Sequence, residues 1–467
     1  MRVIPRIDLR GRKPADLTRT ALTGVLPRAA LDVEAAVMRV RPMCEDIKHR
    51  GAAAVREYTL RFDGVDLAST RVPQAALDAA LAALDADVRA GLEEAVRRTT
   101  AVHSAQVPQE VATHVAGGGN GGGLTVTGRF IPVGRAGVYV PGGLVAYPSS
   151  VVMNVVPAQV AGVGEIAVAS PPQKDGPLGP GLPHPVVLAA CALLGIREVH
   201  AAGGAQALAM FAYGTEDCAS ADVITGPGNV YVTAAKRVLR GVVGIDGENG
   251  PTEVAIIADG TADPVHVAAD LIAQAEHDEL AGCLLITPDE ELAGRVDAEL
   301  ARQVPLTRHR ARVEMALAGQ SGLGGQSGCV LVDDIDAALA VSDAWAPEHL
   351  EIQARDADKL ARRVRNAGAI FAGAYAPVSL GDYLAGSNHV LPTGGTARHT
   401  SGLSVFPFLR LVNVIECDRD TLAATAPLID AIGGSEDLAA HVAAVRVRVG
   451  GSGGHGGVVS PGGGTAQ

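Results

Sequence analysis

A chain of 467 residues is too long for one ordinary hydrophobic core, so two or more domains are expected. Its formal net charge of −12 argues against nucleic-acid binding and favours solubility. Apolar residues make up 48% but aromatic ones only 3%, so the core must be mostly Ala, Val, Leu and Ile.

The longest apolar stretch, Val186 to Ile196, is too short to span a bilayer. The opening MRVIPRIDLRGRK has no apolar signal core, which points to a cytoplasmic protein. Cys44, Cys191, Cys218, Cys283, Cys329 and Cys417 form no C-x-x-C pair and read as buried, reduced thiols.

Along the chain, helical spacing of Ala and Leu predicts one or two amphipathic helices over 75–102, followed by a glycine-rich break at 117–123. From Ala136 the pattern alternates. Strands are predicted at 137–140, 165–169, 198–201 and 223–225, with helices at 149–160, 185–194, 205–213 and 230–239. A second series has strands at 253–258, 283–287, 329–332 and 369–371, with helices at 264–276, 290–302, 335–343 and 356–366. Such alternation predicts an α/β protein with two successive doubly wound parallel-sheet domains and a cleft between them. The glycine-rich tail 450–467 cannot build a core and is expected to be disordered, with His455 irrelevant to function.

Gly117, Gly119 and Gly122 match G-x-G-x-x-G in form only, because LTVTGRF rather than a helix follows. Three other loops fall at strand-to-helix turns: Pro141-Gly142-Gly143, Gly203-Gly204-Ala205-Gln206 and Gly226-Pro227-Gly228-Asn229. Glycines admit close backbone approach, and helix N-termini offer free N–H groups to phosphate. Any one of these loops can be a simple tight turn, but three in one sheet favour nucleotide binding at the carboxyl ends of its strands. The plainer readings are that Asn229 caps its helix and that Gln206 is exposed in a first turn.

Three polar clusters stand out. Gln274 and His277, three apart at the end of a predicted helix, share one face. Asp382 lies in a glycine-bounded turn within GDYLAGSNHVLPT, and His441 follows Glu436 on a helix predicted near 436–445. Gln274, His277, Asp382 and His441 offer two imidazoles, a carboxylate and an amide oxygen, a borderline set for which zinc is the first candidate. Glu348 and His349 follow Pro347. On a loop both side chains can face one cleft, His349 as general base and Glu348 as activator of water. A helix cap is the plainer reading of that pair. His389 is either a ligand or a structural loop residue, and Arg398 and His399 are candidates for the surface.

The strings GVYVPGG, YPSSVVMN, GGAQALA, GPGNVYV, GPTEV, DLIAQAEHD, APEHLE, GDYLAGSNHVLPT and SGLSV occur in this order. In them the chain closely resembles the histidinol dehydrogenase family over roughly 30–448, most densely over 137–405. The resemblance implies NAD- and zinc-dependent four-electron oxidation of L-histidinol to L-histidine through bound L-histidinal, the last step of histidine biosynthesis. It implies zinc at Gln274, His277, Asp382 and His441, one ion per subunit, and NAD at Tyr139, Gln206 and Asn229. Substrate contacts are implied at Thr252, Gln274, His277, His349, Asp382, Glu436 and His441, with Glu348 and His349 as the catalytic pair. Thr252 stands where many members have Ser, which preserves a hydroxyl.

The fold implied is two incomplete Rossmann-like domains with small helical and extension domains, in a homodimer with intertwined small domains. The expected boundaries are 1–33 with 404–424 for an extension domain, 34–136 with 252–403 and 137–251 for the two sheets, 425–449 for a small helical domain and 450–467 for the tail. Glutamine is a poor zinc ligand, so the substrate's imidazole and amine are expected to complete the shell, making the metal an orienting clamp. His349 then takes the hydroxyl proton and Glu348 activates water. A cysteine route to aldehyde oxidation is disfavoured, since no cysteine sits in the clusters. The rival readings are dehydrogenation of another small alcohol, such as a sulfonated diol, a zinc hydrolase, or a non-catalytic relative.

Overall fold

Fourteen strands are found among the described residues of the computed structural model, which are 3–29, 32–116, 123–142, 146–318 and 325–450. In chain order they are β1 (Arg6–Asp8), β2 (Val111–Ala116), β3 (Gly123–Pro132), β4 (Arg135–Tyr139), β5 (Glu165–Ser170), β6 (Glu198–Ala201) and β7 (Val223–Thr225). There follow β8 (Gly244–Ile245), β9 (Glu253–Ala258), β10 (Gly282–Thr287), β11 (Gly328–Leu331), β12 (His349–Gln353), β13 (Ala369–Ala372) and β14 (Leu409–Cys417). Apart from Gly123 and Gly450, the glycine-rich break and the tail lie outside the described residues.

Two compact units emerge. The first is Met1–Val107 with Pro132–Leu409, and the second is Pro108–Ile131 with Arg410–Gln467. The first unit holds both predicted parallel sheets. One has the order β6-β5-β4-β7-β8 and the other β1-β11-β10-β9-β12-β13. All their pairings are parallel. Set aside β1, and each order winds outward in both directions from its first strand. The reversal falls between β4 and β7 in one sheet and between β9 and β12 in the other.

Side-chain alternation explains why both faces are covered. Val254, Ile256 and Ala258 of β9 join one core with helices Pro264–Ala275 and Glu290–Gln303. Ala255 and Ile257 join another with helix Ile335–Trp345. In β5, Ala167 and Ala169 face one core and Val168 the opposite one.

Several elements differ from the sequence reading. β12, with the sequence HLEIQ, was not anticipated. Leu350 and Ile352 enter the core, while polar Glu351 and Gln353 are buried on the opposite face, which disguises the strand. His349 therefore opens a strand and only Glu348 precedes it. The helix expected over 356–366 spans only Ala357–Ala361. Asp382 belongs to a short helix, Val378–Tyr383, rather than to a free turn. Five cysteines are buried and free, but Cys417 is free and exposed.

The second unit contains the three-stranded sheet β14-β3-β2, with β2 and β3 antiparallel, and helices Arg419–Ser435 and Ala439–Val449. Glu436 and His441 do not share a helix. Glu436 closes the first, and Asp437 turns left-handed at φ 55 before the second begins. Both residues are exposed. Among the described residues, no helix is long and apolar enough to cross a membrane.

A buried ion pair fastens the passage from one parallel sheet to the other. Lys236 Nζ donates to Asp246 Oδ1 at 2.5 Å and to the Gly226 carbonyl at 2.7 Å, while Asp246 Oδ2 accepts from Gly226 N at 2.8 Å. The two side chains are 1% and 3% exposed. Residues 246–252 then lead directly into β9, and Asn249 Nδ2 donates to the Leu391 carbonyl at 2.8 Å. Replacing Asp246 with Ala would leave the ammonium buried and unpaired, so Asp246→Ala should lower stability by about 3–5 kcal/mol in urea unfolding. A loss below about 1 kcal/mol would show that water compensates the lysine.

Candidate active site

The residues singled out in the first unit gather where two sheet edges approach. Glu253 opens β9 and His349 opens β12, with Thr252 and Glu348 immediately before them, so these four lie at the amino edge of the six-stranded sheet, at its point of strand-order reversal. Helix Pro264–Ala275 returns to that edge and delivers Gln274 in its last turn. His277 follows just beyond, its N–H bonded to the Gln274 carbonyl at 3.3 Å. Asp382 reaches the same place, with Oδ2 3.8 Å from His277 Nε2 and Oδ1 4.0 Å from His349 Nε2.

A hydrogen-bond chain runs through this group. Gln274 Nε2 donates to Thr252 Oγ1 at 2.6 Å, and Thr252 Oγ1 donates to Glu348 Oε2 at 2.5 Å. Glu348 Oε2 also accepts from Glu253 N at 2.8 Å. Burial nonetheless dominates and pushes the Glu348 acid up to about 8, with the Asp382 carboxylate adding to the rise. His349 is held down by burial, which favours neutral imidazole. Its Nδ1 lies 3.0 Å from the Glu253 carbonyl. A carbonyl only accepts, so Nδ1 carries the proton and Nε2 keeps a lone pair. That Nε2 is buried without a partner, as is Gln274 Oε1.

These two orphaned atoms test what the site can hold. Each is a buried acceptor, costly unless something completes it. Gln274 Oε1 accompanies His277 and Asp382, whose separation resembles the roughly 3.4 Å between donors around one tetrahedral zinc. Oxygen and imidazole donors of this kind suit a borderline divalent cation, so the residues fit a metal. His349 Nε2 is a base with no proton of its own.

The nucleotide-type loops line the carboxyl edge of the five-stranded sheet. Tyr139 Oη accepts from Gly204 N at 3.0 Å. Gly226, at the end of β7, has φ +123, and a Cβ there would sit 1.9 Å from the Tyr139 carbonyl, so only glycine lets β4 and this loop meet. Asn229 does cap its helix, with Oδ1 accepting from Tyr231 N and Val232 N at 3.0 and 3.3 Å. Gln206 is not exposed. It is buried and donates to Asp63 Oδ2 at 3.3 Å. Asp63, pushed up to about 6 by burial, also lines a cavity of about 480 Å³ with Gly142, Ser170, Pro171, Lys174 and His184.

Sequence reasoning left the role of His389 open and missed its partner. His389 Nδ1 lies 3.0 Å from the Asp382 carbonyl and Nε2 lies 3.3 Å from Ser150 Oγ, at the start of helix Pro148–Ala161. The histidine thus joins the Asp382 segment to the five-stranded sheet's side of the site. Nothing local in sequence signals a contact across 239 positions. Glu253 was also missed. Its backbone, not its side chain, orients both Glu348 and His349.

Comparison with known proteins agrees with this picture. A family model described as histidinol dehydrogenase matches residues 26–449. The chain belongs to the histidinol dehydrogenase family. It is 59% identical over 447 residues to the histidinol dehydrogenase of Thermobifida fusca, covering 96% of this chain and 98% of that one. It is 56% identical over 451 residues to that of Mycobacterium tuberculosis, covering 96% and 98%. The crystal structure of histidinol dehydrogenase from Elizabethkingia anophelis superposes with a TM-score of 0.86 at 31% identity, covering 96% and 98%. The chain is an enzyme, an oxidoreductase, and its family serves histidine biosynthesis.

Elsewhere, Glu198, His200 and Cys218 bring three metal-capable atoms within 4.8 Å of one another. Their donors are already engaged. His200 bonds Thr70 through Nδ1 and Glu198 through Nε2, both at 3.0 Å, and Arg135 bonds Glu198 at 2.6 Å. A guanidinium beside the group supplies the positive charge that a cation would bring, so this trio reads as a structural network.

Glu348 binds its proton more tightly folded than unfolded. In metal-free protein its contribution to stability is therefore full below pH 4.5 and is lost as pH rises to about 8. Glu348→Gln has no such loss, so its stability relative to the parent should improve by about 2–4 kcal/mol between pH 5 and pH 8. Paired denaturant melts at the two pH values test this, and an unchanged gap would show that Glu348 titrates normally.

Proposed function

We propose that the chain oxidises L-histidinol to L-histidine in two steps, with two NAD⁺ and one water consumed and L-histidinal kept bound between the steps. The observation that carries this reading is the neutral, buried His349, whose Nδ1 side lies against Glu348 and whose partnerless Nε2 faces Asp382, in a chain of this family. When bound, zinc orients the substrate through its imidazole and amine, and NAD⁺ accepts the two hydrides. Gln274, His277 and Asp382 would hold the metal, with His441 as fourth ligand. Tyr139, Gln206 and Asn229 would receive the dinucleotide, Gln206 through its bond to Asp63 standing next to the cavity that Asp63 lines.

His349 Nε2 takes the hydroxyl proton of the alcohol, because its other nitrogen is committed to the Glu253 carbonyl. Glu348, as carboxylate, removes a proton from the water that attacks the aldehyde. Its backbone and hydroxyl donors, Glu253 N and Thr252 Oγ1, hold the carboxylate in place. Thr252 thereby serves the carboxylate as well as the substrate contact that the family resemblance implies. Substrate contacts are further assigned to Gln274, His277, His349, Asp382, Glu436 and His441. A homodimer in which Glu436 and His441 come from the partner chain, working in the cytoplasm, completes the reading.

A steady-state assay with histidinol and NAD⁺ should yield two NADH per histidine formed. One NADH per turnover, or activity only with another small alcohol, would overturn the assignment. His277→Ala should purify without stoichiometric zinc, as read by metal analysis, and a full complement with normal turnover would remove it from the ligand set. Glu348→Gln should slow oxidation of supplied histidinal by about 10²–10³-fold while slowing the alcohol step far less. Equal slowing of both steps would contradict the division of labour.

A further inference from the structure

Behind the site, Asp270 sits one turn before Gln274 on helix Pro264–Ala275, and Glu351 and Gln353 face it from β12. Gln353 Nε2 donates to Asp270 Oδ2 at 2.8 Å and to Glu351 Oε2 at 2.9 Å. The other Glu351 oxygen accepts from Val378 N at 3.0 Å. Val378 opens the short helix whose next turn presents Asp382. One amide nitrogen, that of Gln353, thus holds an oxygen of each carboxyl, which sets Asp270 and Glu351 side by side. Among the described residues neither forms an ion pair, although His266 places some positive charge near Asp270.

We propose that Asp270 and Glu351 form one carboxylic acid–carboxylate pair that acts as a positioning clamp, tying together the helix of Gln274, the strand opened by His349 and the helix of Asp382. The proposal rests on the reading of those three residues as a metal and proton-transfer site. Two carboxyl groups bond to each other only with a proton between them, and two bare carboxylates would repel. Burial raises both acids, and Glu351, the more deeply buried of the two, takes the proton. The proton shared by the pair adds to bonds that neutral donors already make. Gln353 serves both carboxyls, Val378 serves Glu351, and Glu351 serves Asp270. Neither carboxyl is among the residues assigned to touch substrate or metal, so the effect is exerted through the elements they join.

Glu351→Gln retains an N–H for Asp270 and a carbonyl for Val378, whereas Glu351→Ala leaves the Asp270 charge without its proton donor. On the purified full-length chain, zinc affinity by chelator competition and kcat with histidinol are compared. Glu351→Gln should stay within about threefold of the parent in both, and Glu351→Ala, folded by circular dichroism, should lose about tenfold or more in both. KM for NAD⁺ should not move, because the dinucleotide loops belong to the other sheet. Wild-type zinc affinity in folded Glu351→Ala, or equal damage from the Gln variant, would overturn the clamp. Should the Ala variant not fold, Val378→Pro removes the N–H that reaches Glu351 at a helix position that accepts proline, and zinc binding should weaken more than in Val378→Ala, which loses the buried side chain but keeps the N–H. Equal binding in those two variants would also overturn it. If the parent itself binds no zinc, the functional reading fails independently. The clamp is then read from exchange of the Val378 amide, slow in the parent and the Gln variant and faster in the Ala variant. Equal exchange in all three would overturn it.

Discussion

Residues 246–252 impose the constraint on which the site depends. They connect the carboxyl end of β8 to the amino end of β9, and the Lys236–Asp246 pair anchors their start beneath the Gly226 loop. A connection this short cannot let the two sheets drift apart. It brings the carboxyl edge of the five-stranded sheet, where the nucleotide-type loops lie, to the amino edge of the six-stranded one. Asn249 and Gly250 extend the fastening to Leu391 and Thr393, which follow the Asp382 and His389 segment.

The two sheets repeat one strand order yet use it differently. In the first, the reversal between β4 and β7 opens a crevice at the carboxyl ends, the ordinary place for a dinucleotide. In the second, the reversal between β9 and β12 is used from the amino side. Polar residues there are carried by strand starts and helix ends, which are rigid. The backbone of Glu253 can therefore hold Glu348 with its N–H and His349 with its carbonyl at once.

Desolvation gives the site its chemical character. Glu253 and Glu348 are both buried, and burial pushes them up to about 7 and about 8. The same burial keeps His349 neutral. Arg28 offsets the first carboxylate, stacking over Trp345 with its guanidinium 4.5 Å from the ring centre, its Nε ion-paired with Glu253 at 2.8 Å and a terminal nitrogen donating to Glu253 at 3.3 Å. Glu348 has no cation among its hydrogen-bond partners in the described residues, only neutral donors. Burial thus raises two carboxylic acids toward neutrality and favours the unprotonated imidazole beside them.

Much of this was legible in the sequence because it is local. Strand and helix alternation from Ala136 onward, the glycine loops and the spacing of Gln274 and His277 all follow from neighbouring residues, and the strands appear within a few positions of their predicted places. β12 was hidden because its buried face is polar, and β1 because its partner β11 lies hundreds of residues away. Glu436 and His441 were placed on one helix because the left-handed turn at Asp437 has no glycine to announce it. By itself, then, the sequence determined the α/β class, the glycine-bearing turns after the strands and the polar clusters, since periodicity and motif are properties of adjacent residues. Only the tertiary structure decided that His349 is neutral with a free Nε2, that Glu348 holds its proton toward pH 8, and that Ser150 meets His389. Burial, tautomer and long-range contact arise from what packs around a residue in space, and no stretch of chain encodes them alone.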